Sequence, residues 1–313
     1  MLDLRDSNVL SIVSLCRLMQ SPPLQWYPGH MARAVKTLAA HLQRVDVVIE
    51  VRDARIPRSS THPLLATLAP TGVIVLNRRD QIPVPLAQAW VAALAQPDRP
   101  VILTEARQGQ GLNQLRQALA RVGQGVNQRR QRRGMLPRAV RVAVVGCPNV
   151  GKSALINRLL GRRVANSAPK AGVTRQCQWL RLGGDLELLD TPGILPPRLE
   201  DQQAAIHLAI CDDISEAVYD HYLIGLALLE RLWHLPAHAY HPQDGLEKRY
   251  HLCPQDHTPA GYLAALAEKK CGGDLNRSAQ MVLNDFRKGA LGQIGLELPE
   301  DEMELEHSNI GEN

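Results

Sequence analysis

No lysine or arginine follows Lys288 in this chain of 313 residues, while seven acids (Glu297, Glu300, Asp301, Glu302, Glu304, Glu306, Glu312) fall in the last 17. All 36 basic side chains, but only 24 of the 31 acidic ones, therefore lie in residues 1–296, a net +12. So much charge of one sign points to a polyanionic partner, nucleic acid first, and bears on association rather than on fold. Also absent is any CxxC pair. The six cysteines (Cys16, Cys147, Cys177, Cys211, Cys253, Cys271) are scattered, which excludes a zinc-finger pattern and fits free thiols in a reducing compartment. His251, Cys253 and His257 lie close together in a Pro-containing stretch and read as a polar loop rather than a metal site. No apolar run approaches the roughly 18 residues of a membrane span. The N-terminal stretch VLSIVSLC has Asp3 and Asp6 before it and no small-residue cleavage site after it, unlike a signal peptide. Met19 is a plausible alternative start, so residues 1–23 are expected to be a loose extension, and 299–313 an acidic disordered tail.

What is present begins with a 45% hydrophobic composition, enough for a full core divided into two domains. VDVVIEVRDARIP (45–57) and TGVIVLNRRD (71–80) are apolar β-branched runs ending in polar loops, the pattern of buried parallel strands. A helix at LAQAWVAALAQ, a third strand at PVILTEA and a helix at GLNQLRQALARV follow, an alternation that predicts a parallel sheet covered on both faces. Residues 121–141 carry seven arginines and read as a basic linker. AVRVAVVGCPNVGKS restarts the strand, loop and helix, LELLDTPGI adds a strand, and after about Pro197 helical patterns take over. Val218, Tyr222, Leu226, Leu229 and Trp233 mark one expected apolar stripe. Thr258 with Pro259 starts a later helix, and Arg287, Lys288 and Gly289 end the last one.

The loop GCPNVGKS (146–153) matches GxxxxGKS in its required setting, after a strand and before a helix. Its glycines let backbone amides (Asn149, Val150, Gly151, Ala154 among them) approach phosphates; Lys152 reaches the β and γ oxygens, and the Ser153 hydroxyl suits magnesium. Asp190 in DTPG is the expected carboxylate for the same ion, the Gly193 amide can sense a γ-phosphate, and Thr174 stands where a switch threonine closes on magnesium. Asn77-Arg78-Arg79-Asp80 resembles the guanine-reading NKxD motif: a carboxylate at Asp80 can accept from N1–H and the 2-amino group of guanine, donors that adenine lacks. Arg78 must stand in for the usual Lys. In TEARQGQG, Ala106 offers an amide to the guanine oxygen, with Glu105 where Ser is usual. The base-reading segments thus precede the phosphate loop, the order of a circularly permuted GTPase. In that order the second switch leads straight into the helical part.

WYPGHMARA (26–34), DARIP with SSTHP, the permuted order and NRSAQMVLNDFRKGALGQI together resemble the YlqF/RbgA-type ribosome-biogenesis GTPases over about residues 24–298. The resemblance implies an α/β fold: a circularly permuted P-loop GTPase domain at 24–197, a mostly parallel doubly wound sheet, then a small all-helical domain at 198–298. It implies a cytoplasmic or organellar, monomeric protein that binds GTP or GDP with Mg2+ and acts late on maturing large ribosomal subunits through rRNA. Asn149 resembles the asparagine that helps hold potassium in translation-related GTPases, with a loop-stabilising amide as the alternative. Ile194 stands where a water-orienting Gln is common, which makes His30 the family-consistent catalytic candidate; packing of the N-terminal segment is its alternative. Arg129, Arg130, Arg132, Arg133, Lys269, Lys270, Arg277, Arg287 and Lys288 are candidate rRNA contacts, each also readable as a solvated helix face. Two other functions stay open: an RNA-binding assembly factor with a decayed GTPase, against which Lys152, Ser153, Thr174 and Asp190 stand intact, and a GTPase acting at a membrane or on tRNA.

Overall fold

The computed structural model describes residues 39–61, 72–162, 178–182, 186–191, 201–214, 216, 219–235 and 242–299. His30, Thr174, Gly193, the N-terminal extension and the acidic tail from 300 lie outside the described residues.

Every residue of β1 (Val47–Asp53) and β2 (Gly72–Asn77) is buried. Strands buried on both faces belong inside a parallel sheet, since helices must cover each side. They are interior strands of a six-stranded sheet with β3 (Val101–Leu103), β4 (Val140–Val145), β5 (Gln178–Leu182) and β6 (Leu186–Asp190), in the order β3-β2-β1-β4-β6-β5. All neighbours run parallel except β5 and β6. The chain lays down β1, β2 and β3 outward, then returns to place β4 on the other side of β1. This reversal opens a crevice at the carboxyl ends of β1 and β4, the usual ligand position in such sheets.

Helices α1 (Val84–Leu94), α2 (Leu112–Arg132) and α3 (Lys152–Leu160) connect these strands. The basic linker expected at 121–141 is shorter than the arginine count suggested, because α2 runs on to Arg132 and residues 133–139 alone lead into β4. Leu112, Leu115, Leu119 and Val126 keep one buried face through the arginine-rich stretch. A Cβ on Gly123 would lie 3.0 Å from Val140 Cγ2, so the missing side chain permits close approach to β4. Arg129, Arg130 and Arg132 fall in the last turn, where positive charge complements the helix dipole.

Beyond β6 the long elements among the described residues are helices: α4 (Gln202–Ile210), α5 (His221–His234), α6 (Asp244–Tyr250), α7 (Pro259–Lys270) and α8 (Leu275–Arg287). Asp201, Asp220 and Asp274 cap α4, α5 and α8 by accepting first-turn amides, and Thr258 caps α7 ahead of Pro259. Of the stripe expected on α5 only Leu229 is fully buried, and Val218 lies outside the described residues. Ile224, Ala227, Leu228, Leu229 and Leu232 are the helix's buried apolar side chains, while Tyr222, Leu226 and Trp233 are only partly buried. The larger buried face follows from α4, α7 and α8 packing around α5. The apolar core continues from the sheet through these helices to Leu296, with a smaller cluster around Trp90 and Ile82.

Candidate functional site

At the carboxyl end of β4 the chain turns through the phosphate loop into α3. Two glycines are required there. A Cβ on Gly146 would lie 2.3 Å from the Val51 carbonyl, and one on Gly151, at φ 102°, would lie 2.2 Å from Asn77 Nδ2. Lys152 folds back into the loop and donates to the carbonyls of Gly146 (3.1 Å) and Cys147 (2.7 Å). Burial lowers its pKa to about 8, against the pull of Cys147, Asp190 and Asp213. Ser153 and Ala154, half-buried, stand in the first turn of α3 beyond the buried Val150 and half-buried Gly151.

Asp190 closes β6 beside this turn. Burial pushes its carboxyl up to about 6, with Lys152 opposing, and its Oδ1 is buried without a hydrogen-bond partner. A desolvated carboxylate oxygen with no donor, next to a helix that begins with Lys152 and Ser153, suits a hard divalent cation such as magnesium. Thr191 is held by a bond from Oγ1 to the Val144 carbonyl (2.6 Å).

The other wall comes from β2. Asn77 Nδ2 donates to the Val150 carbonyl (2.8 Å), while Asn77 Oδ1 accepts from Thr104 Oγ1 (3.1 Å) and the Ala106 amide (3.0 Å). One side chain thereby ties β2, the loop after β3 and the phosphate loop together, and the Ala106 amide expected to face a base is engaged with it. Arg78, at φ 63°, donates from Nη2 to the Asn149 carbonyl (2.7 Å), and its Nε lies 3.5 Å from Asp53 Oδ2. A guanidinium bonded to the phosphate loop occupies the place where the sequence reading called for a lysine amine. Asp80 is exposed in the turn Arg79–Gln81, and Glu105 is buried nearby, its carboxyl raised by burial and by Asp80. Asn149 Nδ2 donates to the Asp212 carbonyl (2.6 Å), a direct bond from the phosphate loop to the connection between α4 and α5.

Sequence reasoning missed the support beneath this site. Asp53 and Arg55 form a buried pair, with Arg55 Nε and Nη2 at 3.0 and 2.7 Å from the carboxylate, and Arg55 Nη2 also donates to the Cys211 carbonyl. Burial would raise the Asp53 carboxyl, but Arg55 and Arg78 outweigh it and hold it low. Asp213 is fully buried with both oxygens unpartnered, and burial and Asp53 push its pKa well up. The DARI string contains the first pair; nothing local marks Asp213.

Arg129, Arg132, Arg133, Lys269, Lys270, Arg277 and Lys288 are exposed, and Arg130 is half-buried. Arg287 is corrected: its guanidinium donates to the carbonyls of Ala209 and Ile210, to Tyr219 and to Glu216, so it joins α8 to α4 instead of facing a partner.

Residues 141–231 match a family model described as 50S ribosome-binding GTPase. Ribosome biogenesis GTPase A of Bacillus licheniformis is 33% identical over 289 residues, 89% of this chain and 99% of that protein. The protein of that name from Bacillus cereus is 34% identical over 290 residues, 89% and 95%. Mitochondrial GTPase 1 of Aedes aegypti is 31% identical over 220 residues, 66% and 69%. Among solved structures, GNP-bound YlqF from T. maritima superposes with a TM-score of 0.58 at 23% identity, covering 86% of this chain and 99% of that one, which supports the fold. The chain belongs to the ribosome biogenesis GTPase A family of GTPases.

Proposed function

We propose that this GTPase is a switch that binds maturing large ribosomal subunits through rRNA late in their assembly, in the cytoplasm and as a monomer. The observation that carries the reading is the Asn77 bond to Val150, which joins a base-reading strand to a phosphate loop 73 residues further on. The permuted order makes the phosphate side the end that leads into the helices. In this reading residues 24–197 form the GTPase domain and 198–298 the helical domain that meets rRNA.

Asn77 braces the site, the Asp80 carboxylate reads the two guanine donors, and Arg78 lays its stem against the purine. Magnesium, held by Ser153, Thr174 and Asp190, would neutralise charge on the β and γ phosphates. Lys152 exchanges its two carbonyl partners for phosphate oxygens, and the amides of 149–154 surround them. The Gly193 amide senses the γ-phosphate. Asn149 uses its side-chain nitrogen on Asp212, which leaves its side-chain Oδ1 as the atom suited to potassium. His30 orients the attacking water. The exposed arginines at the end of α2 and the exposed lysines of α7 supply sequence-independent phosphate contacts.

Hydrolysis measured with and without purified large subunits, in potassium and in sodium, tests this. We expect subunits to raise turnover by about tenfold or more, potassium to exceed sodium, and His30→Ala to remove the stimulation while GTP affinity stays within about threefold. Absence of stimulation would reduce the protein to an RNA-binding factor with a weak GTPase, and equal rates in the two salts would reject the ion.

A further inference from the structure

The base-reading turn Arg79–Gln81 is held from within by the Arg79 amide bond to the Thr104 carbonyl (3.1 Å) and by the Asn77 brace. Its outer side is covered by residues that are 206 or more positions away in sequence. Gln293 Nε2 donates to the Asp80 carbonyl (3.0 Å), the Ile294 amide donates to the Gln81 carbonyl (2.8 Å), and Gln81 Nε2 donates to the Arg287 carbonyl (3.2 Å). The segment then continues along the end of β1, where the Leu296 amide donates to the Arg55 carbonyl (2.9 Å).

Its far end is locked. The buried Glu297 carboxylate accepts from the amides of Arg58 (2.7 Å) and Ser59 (3.0 Å) and from the Ser59 hydroxyl, and it lies 3.2 Å from His207 Nδ1 on α4. Burial would raise this carboxyl, but His207, Ser59 and the Arg58 amide hold it below the ordinary glutamate value. Gly295 is tightly packed: a Cβ there would meet Leu86 Cδ2 at 2.4 Å, so the buried Leu86 side chain would have to shift. Leu296 is fully buried, and the Arg231 Nε bond to its carbonyl (2.6 Å) ties the segment to α5.

We infer that residues 288–299 are a strap that positions the base-reading turn, so that guanine selectivity depends on Gln293, Ile294 and Gly295 although none of them need touch the base. The inference rests on the reading of Asp80 as the base-reading carboxylate. A reader of two donors works only at one angle, and a three-residue turn with an exposed Asp has little packing of its own to fix that angle. The strap starts where α8 ends, so the helical part is tied to the base end of the crevice as well as to the phosphate loop through Asn149. By reciprocity, a partner that pulls the helices from the sheet weakens guanine nucleotide binding by the same factor that nucleotide opposes the pull.

The test is equilibrium affinity of the full chain for GDP and for IDP, whose base lacks the 2-amino group, in Gln293→Ala and Gly295→Val, with thermal melts confirming a folded protein. Losing one bond to the turn should lower GDP affinity about 3- to 10-fold and IDP affinity less, so the GDP-to-IDP ratio falls; Gly295→Val should lower it further. Unchanged affinities in both variants overturn the inference, as does an equal fall for both nucleotides, which marks a merely structural strap. If Gly295→Val does not fold, Gln293→Ala alone decides. Asp80→Asn is the separate check: a switch of preference from GDP to XDP upholds the base reading whatever the strap variants do, and no switch refutes that reading itself.

Discussion

Asp190 shows at the residue scale how a site holds groups ready at the expense of stability. Its pKa is raised from 3.8 to about 6, chiefly by burial. A folded-state value above the unfolded one means that this group favours folding most below 3.8 and loses that contribution as pH rises through about 6. Above that, the nucleotide-free protein carries a charged carboxylate with a buried, unpartnered oxygen. Asp190→Asn should therefore raise the melting temperature of the nucleotide-free protein at pH 8, and the gain should vanish near pH 4. The same change should lower magnesium-dependent hydrolysis about 100-fold or more, since an amide is a poor ligand for the ion. Thermal melts at the two pH values and a turnover assay check both halves; a variant that melts lower at pH 8 contradicts the proposed tension. The residues named in Lys152, Ser153 and Asp190 were legible because each motif fixes a residue type at a fixed offset. Asp213 and the Asp53–Arg55 pair were not, because burial of charge depends on which distant elements converge on it.

At the element scale, periodicity located the strands well and the helix faces less well. Strands β1 and β2 are buried throughout and so read as apolar runs in the sequence. The stretch expected as a basic linker from Arg121 is the last part of α2 as far as Arg132: arginines dominate it, although buried positions continue to Val126. On α5 the expected stripe included Tyr222, Leu226, Leu229 and Trp233, whereas packing on several sides buries Ile224, Ala227, Leu228 and Leu232 along with Leu229. Gly225 is the clearest tertiary choice. A Cβ there would lie 2.7 Å from Ala279 Cβ and 3.0 Å from its Cα on α8, so α5 and α8 meet through the missing side chain. Gly225→Ala gains about 1 kcal/mol of helix propensity, yet overpacking typically costs about 1–3 kcal/mol. Because one of the opposing atoms is backbone, we expect the clash to prevail and stability to fall by about 1 kcal/mol in denaturant unfolding. A more stable variant would show that the two helices can part freely.

The whole molecule joins a permuted nucleotide-binding sheet to a helical part at several places, Arg55 to the Cys211 carbonyl among them, and two routes leave the nucleotide loops themselves. One runs from Asn149 in the phosphate loop to Asp212, the other from Asp80 and Gln81 to the strap after α8. The permuted motif order was visible in the sequence because the phosphate-binding string is fixed by its spacing and setting, and NRRD with TEARQGQG together resemble guanine-reading motifs. The second route was not, because in the sequence Glu297 is one of the seven acids crowded into the last 17 residues, and only the fold shows it buried between the loop after β1 and α4. A body bearing net +12 over residues 1–296 should bind RNA with a steep dependence on salt but little choice of sequence. Selectivity must then come from the arrangement of sheet and helices, and that arrangement should follow the γ-phosphate. Co-sedimentation of the full chain with purified large and small subunits, loaded with GDP or with a non-hydrolysable GTP analogue at physiological salt, measures this directly. We expect the analogue form to pellet with large subunits about tenfold more than the GDP form, and neither form to prefer small subunits. Equal pelleting of the two forms, or equal binding to both subunits, would contradict the switch.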